Sequence, residues 1–98
     1  MRVHPVVVLI RHKVGDYKKR KMVFDARSAV RKTHGCKGGR LFRSADNHRE
    51  LVLLLEWNDL EKARQFFASD DTREAMARAG VSDMPDVYFL RKVDAAAA

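Results

Sequence analysis

The chain has a single cysteine, Cys36, among its 98 residues. An internal disulfide is therefore excluded, and a reducing, cytoplasmic setting is expected. Long apolar runs are also missing. "VVVLI" at 6–10 and "LVLLL" at 51–55 fall far short of the roughly 20 residues that a membrane-spanning helix needs. The opening "MRVHPVVVLIRHK" runs straight from its apolar stretch into charge, with no small-residue cleavage site, so no signal peptide is expected. Metal chemistry has no foothold either. His4, His34 and His48 show no ligand spacing with one another or with Cys36. "GCKGG" at 35–39 lacks the strand-then-helix setting of a phosphate loop.

What is present describes an ordinary globular protein, 46% hydrophobic and 34% charged. Its length predicts one domain over residues 1–94 with a frayed tail at 95–98. The net charge of +7 is concentrated. Between Arg11 and Lys32 stand nine basic and two acidic residues, which account for the whole excess. Such a patch suits an anionic ligand or a solvated helix face. Nucleic acid is disfavoured as a partner, because no aromatics interleave with "KKRK" to stack bases.

The pattern predicts β-α-β-β-α-β. β-Branched and apolar residues mark strands at 6–14, 38–45, 49–57 and 86–93. A helix at 17–33 is predicted between Asp16 as N-cap and a stop at Gly35. A second helical region follows Asn58, which with Glu61 resembles a capping box. It is broken near Ser69, where Asp71 with Glu74 is a candidate second cap, and it stops at Gly80. The fold class is α+β, ferredoxin-like, with a four-stranded antiparallel sheet in the order 4-1-3-2 and both helical regions on one face. Strands one and three, the most apolar, are expected to be central. The charges within strands two and four suit edges.

The central strands do not alternate cleanly. Val6, Val8, Ile10 and His12 point one way, and Val7, Leu9 and Arg11 the other; Leu51, Leu53, Leu55 and Trp57 oppose Val52, Leu54 and Glu56. Each Leu or Val left wet forfeits roughly 1.5–3 kcal/mol, and four or five of them rival the stability of a small domain. The expected cover for the second face is another copy of the chain, making a homodimer through the sheet face.

These residues resemble the dimeric α+β-barrel superfamily, in its antibiotic-biosynthesis-monooxygenase-like group. The resemblance rests on "RHKVGDY", "FD" at 24–25, "RSAD" at 43–46, "LEW" at 55–57, "FFASDDTREAMARAGV" and "MPDVYFL". It implies a dimer with two sheets packed face to face. It also implies oxygenation of a small aromatic or polycyclic compound without any cofactor. The implied catalytic candidates are His12, Trp57 and Tyr88, with Arg43 as a ligand contact. His12 is the best base by its ordinary pKa, or else a strand-end histidine held by the backbone. Trp57 is equally read as packing, and Glu56 as the partner of a nearby arginine. In the heme-degrading branch a histidine ligand stands late in the second helical region, where this chain has Met76, a residue that fits a core.

On the first helix, Met22, Val23, Ala26, Ala29 and Val30 form a stripe suited to packing on the sheet. Tyr17, Arg20, Phe24, Arg27 and Arg31 fall on nearly the opposite side. Tyr17, Phe24, Arg20 and Arg27 are therefore candidate contacts to an anionic ligand at a pocket rim. The other reading has the aromatics inward and the arginine stems wrapped around them. For the whole protein, the rival to an oxygenase is a non-catalytic dimeric module that binds a small molecule or a partner.

Overall fold

The computed structural model describes residues 6–80 and 85–93. The expected tail and His4 lie outside the described residues. Eight elements follow in order: β1 (Val6–Lys13), α1 (Tyr17–Ala26), α2 (Ser28–Thr33), β2 (Cys36–Arg43), β3 (Glu50–Trp57), α3 (Leu60–Ala68), α4 (Asp70–Arg78) and β4 (Asp86–Arg91). The strands form one antiparallel sheet in the order β2-β3-β1-β4. This is the α+β arrangement expected from the sequence, with the two most apolar strands in the centre.

The register sorts the side chains. Val8 lies opposite Leu55 and Phe89, and Ile10 opposite Leu53 and Val87. Because side chains alternate along a strand, these residues share a face with Val6, His12, Leu51 and Trp57. That face is sealed: Val8, Leu51, Leu53 and Trp57 are 0% exposed. The sealing comes from the helices, since Phe24, Val30, Ala63, Phe66 and Met76 pack into the same cluster. On the opposite face Val7, Leu9, Val52 and Leu54 are half-buried. Phe42, Tyr88 and Leu90 there are exposed.

Local chemistry explains the helix ends. Asp16 accepts from the Lys19 backbone N–H, as expected of an N-cap. The caps of the second helical region differ from expectation by one or two residues. Asp59, not Asn58, accepts from Lys62, and Ser69, not Asp71, accepts from Thr72. The Asn58 side-chain Oδ1 is buried with no partner, and its backbone N–H donates to the Gly35 carbonyl. Gly35 sits at φ +106°, and a Cβ there would collide with the Asn58 side chain, so a glycine is required at this crossing.

The first helical region is also broken, which the sequence pattern did not predict. An unbroken helix would hand the Phe24 carbonyl to the N–H of Ser28. Here that carbonyl accepts instead from Arg31 Nη1 at 2.6 Å and from the Arg27 N–H at 3.2 Å. Arg27 consequently becomes the joint between α1 and α2.

Candidate functional site

Between the centre of the sheet and the helices lies a recess. Its cavity volume is about 40 Å³, and it opens to solvent. Ile10, Leu53 and Leu55 form the floor; Phe24, Phe66, Phe67 and Met76 form apolar walls; Arg20, Arg27 and Arg31 bring charge. The aromatic wall is braced from behind. Trp57 meets Phe66 and Phe67 at ring-centroid distances of 5.1 and 5.4 Å, in tilted and edge-on contact. Its indole N–H donates to the His34 carbonyl at 2.8 Å.

The arginines reach this recess because α1 presents an unexpected face. Arg20 is buried, and Val23, Phe24, Arg27, Val30 and Arg31 are half-buried, while Met22, Ala26 and Ala29 are exposed. The spacing 20, 24, 27, 31 is a helical stripe in its own right. Of the expected packing stripe, Val23 and Val30 do turn inward, while Met22, Ala26 and Ala29 do not; the rest of the inward face is the arginine–aromatic stripe. Arginine stems are apolar enough to serve as core, and the heads stack on rings. Arg31 lies 3.8 Å and Arg20 5.4 Å from the Phe24 centroid, and Arg27 lies 5.8 Å from that of Phe66.

The electrostatics are unusual for an interior. Arg20 Nε donates to His12 Nε2 at 2.9 Å, a buried contact between a cation and a neutral ring. Since Nε2 accepts, the imidazole proton resides on Nδ1, which is buried and has no partner. Burial first, and the Arg20 charge second, push the His12 pKa down to about 4. His12 is therefore uncharged at neutral pH, with its only basic lone pair occupied. Burial also pulls Arg20 down to about 10, with help from repulsion by Arg31. It lowers Arg31 too, and Arg27 adds repulsion there. At about 10, Arg20 remains cationic at pH 7. Among the described residues one carboxylate pairs with these arginines: Asp71, at the start of α4, accepts from Arg27 Nη1 at 3.0 Å. Arg27 Nη2 is buried with no partner. Among the described residues no group of three or more His, Cys, Asp or Glu could hold a metal ion.

The family model for antibiotic biosynthesis monooxygenases matches residues 6–78. The chain belongs to this family. Among curated proteins, none matches it. Solved structures share its fold. A candidate antibiotic biosynthesis monooxygenase from Bordetella bronchiseptica superposes with a TM-score of 0.77 at 18% identity, covering 92% of this chain and 98% of that one. SnoaB, a cofactor-independent oxygenase from Streptomyces nogalater, gives 0.69 at 18% identity, over 92% and 96%. Rv0793 from Mycobacterium tuberculosis gives 0.67 at 24%, over 95% and 99%.

Within this monooxygenase-family fold the residues singled out from sequence divide three ways. Phe24, Arg20 and Arg27 line the recess together. His12 lies behind Arg20 and is linked to the recess only through it, and Trp57 lies behind Phe66 and Phe67. Tyr88, Tyr17 and Arg43 are elsewhere. Tyr88 pairs with Leu9 on the open face and is 55% exposed, with the sheet between it and the recess. Tyr17 and Arg43 contact each other, with the guanidinium 5.0 Å from the ring centroid. Glu56 is exposed on the open face. Met76 lines the recess as an apolar wall. Arg31, Phe66 and Phe67 were not proposed as ligand contacts from sequence. The signal for Arg31 was present, eleven residues on from Arg20 along one helical stripe, and the helix break at Arg27 preserves that alignment.

Proposed function

We propose that this protein is a homodimeric, cofactor-independent oxygenase acting on a compact aromatic phenol lodged in the recess. The observation that supports this best is the recess itself: aromatic walls with guanidinium heads among them, in a chain of the monooxygenase family. Cofactor-free oxygenation asks little of a protein. It needs the phenol held as its electron-rich anion, away from bulk water. Nearby cations favour that anion, and Arg20, Arg27 and Arg31 supply them. For 1-naphthol, the anion adds O₂ at the ring carbon para to its oxygen, forming a C–O bond. The O–O bond then breaks; one oxygen stays as a carbonyl and the other leaves as water with the two hydrogens lost by the ring system. Naphthol plus O₂ gives naphthoquinone plus water, and no outside reductant is consumed.

Size limits the substrate. A benzene-sized ligand needs a cavity of about 150 Å³, and the recess offers about 40 Å³, so its side chains must part to admit even one ring. One or two rings fit this reading better than a polycyclic system. The dimer is supported by the open face, where Val7, Leu9, Val52, Leu54, Phe42, Tyr88 and Leu90 form an apolar surface that a monomer leaves to water. No helix among the described residues is long and apolar enough to cross a membrane, and the lone thiol of Cys36 accords with a cytoplasmic location.

A second reading, a dimeric binding module without catalysis, is favoured by one observation. The residues lining the recess include no carboxylate and no histidine, hence no general base. Oxygen uptake decides between them. With 1-naphthol and anthrol, the enzyme reading expects consumption at least tenfold above the uncatalysed rate, matched one-to-one by quinone. Background rates across the panel would leave the binding module standing.

A further inference from the structure

Three buried or half-buried guanidiniums with one directly paired carboxylate, Asp71, is an imbalance that a protein interior rarely tolerates without a reason. Snorkelling would place the arginine heads in water, but these heads are inside. Arg20 is 6% exposed, and the Arg27 side chain 14%. Each has an internal contact that accounts for part of its fork. Arg20 uses Nε on His12, Arg27 uses Nη1 on Asp71, and Arg31 uses Nη1 on the Phe24 carbonyl. One remaining donor is left without a partner. Arg27 Nη2 is buried with no acceptor, and an unsatisfied charged donor is among the costliest features an interior can carry. The cations also depress one another's protonation, Arg31 acting on Arg20 and Arg27 on Arg31. Asp71 and Asp25 are the carboxylates that offset them. An anion in the recess would relieve the repulsion and fill the vacant donor.

We infer that the recess takes an aromatic carboxylate, its carboxylate meeting Arg27 Nη2 and the Arg20 guanidinium and its ring lying against Phe24 and Phe66. The inference rests on the proposed reading that the recess is the ligand site, and it narrows the ligand to one charged before it binds. A carboxylate matches the planar guanidinium fork. The ring is required because Phe24, Phe66, Ile10 and Leu53 would otherwise face a bare, strongly hydrated ion. His12 has a positioning role here. As a neutral acceptor on Nε it fixes the Arg20 plane without cancelling its charge, which an aspartate in the same place would do.

Calorimetric titration of the full chain with benzoate and with benzamide tests this, because the two share a shape and differ in charge. Benzoate is expected to bind at least tenfold more tightly than benzamide, with one site per chain. Arg27→Gln should reduce benzoate affinity at least fivefold and leave benzamide unchanged. Lys32→Gln, on the exposed side of α2, should change neither. Equal affinity for acid and amide, or a preference that survives Arg27→Gln, overturns the inference. So does sulfate binding as tightly as benzoate, which would mean an anion site with no use for the ring. If Arg20→Gln fails to fold by thermal melt, the result for Arg27→Gln, at the half-buried joint between α1 and α2, decides alone. The oxygenase reading fails separately. Benzoate preference without naphthol turnover sinks that reading only, and naphthol turnover without benzoate preference sinks this inference only.

Discussion

Leu53 and Leu54 are adjacent, identical and on the same central strand, yet they occupy different worlds. Leu53 is 0% exposed beneath the helices, and Leu54 is half-buried on a face that no helix among the described residues covers. The same contrast runs along β1, with Val8 and Ile10 sealed and Val7 and Leu9 not. A strand pattern built for one buried face alternates apolar with polar. These strands are built for two. The covered face is completed within the chain and holds the recess. The open face is completed, in our proposal, by a second copy.

The largest effect expected from this contrast is on the covered side. Leu53→Ala should cost about 2–5 kcal/mol of stability in urea denaturation, through lost burial and the cavity left behind. Leu54→Ala, measured at protein concentrations where the chain is dissociated, should cost under about 1 kcal/mol. Equal losses would erase the distinction between the faces.

Next is the assembly. Leu54→Lys places a charge at the centre of the open face and should weaken self-association by about a hundredfold, equivalent to about 3 kcal/mol, while the fold persists by circular dichroism. Sedimentation equilibrium is the measurement. A wild-type chain that sediments as a monomer at micromolar concentration would end the homodimer proposal.

A smaller effect separates the faces by pH. The His12 pKa is near 4 in the folded protein and 6.5 in its absence. Protons therefore bind the unfolded chain preferentially between those values, and stability falls as pH is lowered from 6.5 towards 4. The loss attributable to His12 from pH 7 to 5.5 is about 1 kcal/mol. His12→Asn should flatten that part of the stability profile. An unchanged slope would mean that the imidazole is not held neutral under Arg20.

The smallest effect is expected at Tyr88. Tyr88→Phe should shift stability by less than about 0.5 kcal/mol and leave naphthol turnover unchanged, because the hydroxyl lies across the sheet from the recess. Lost turnover would move the active site to the open face.

Several features could be read without the structure. "LVLLL" and "VVVLI" announced two central strands with two apolar faces, and Asp16, Gly35 and Gly80 marked helix ends. Element order and strand order followed, because local pattern and connection rules leave few alternatives. The site was only half legible. Tyr17, Arg20, Phe24 and Arg27 were grouped on one stripe, with a rim and an inward packing both open; Phe24, Arg20 and Arg27 line the recess, and Tyr17 stands apart against Arg43. Tyr88 was joined to His12, although the β1–β4 register sets Tyr88 opposite Leu9 and so on the other face.

The sequence by itself determined the strands, their order and the need to cover both sides of the sheet, because side-chain alternation and burial are properties that a few neighbouring residues carry. Tertiary structure alone decided which stripe of the first helix turns inward. Met22 and Ala29 are the more hydrophobic choice by composition, but they are exposed. The long stems of Arg20, Arg27 and Arg31 reach across to Phe24, Phe66, His12 and Asp71. Such contacts join residues up to 44 positions apart, and no periodicity within one helix encodes them.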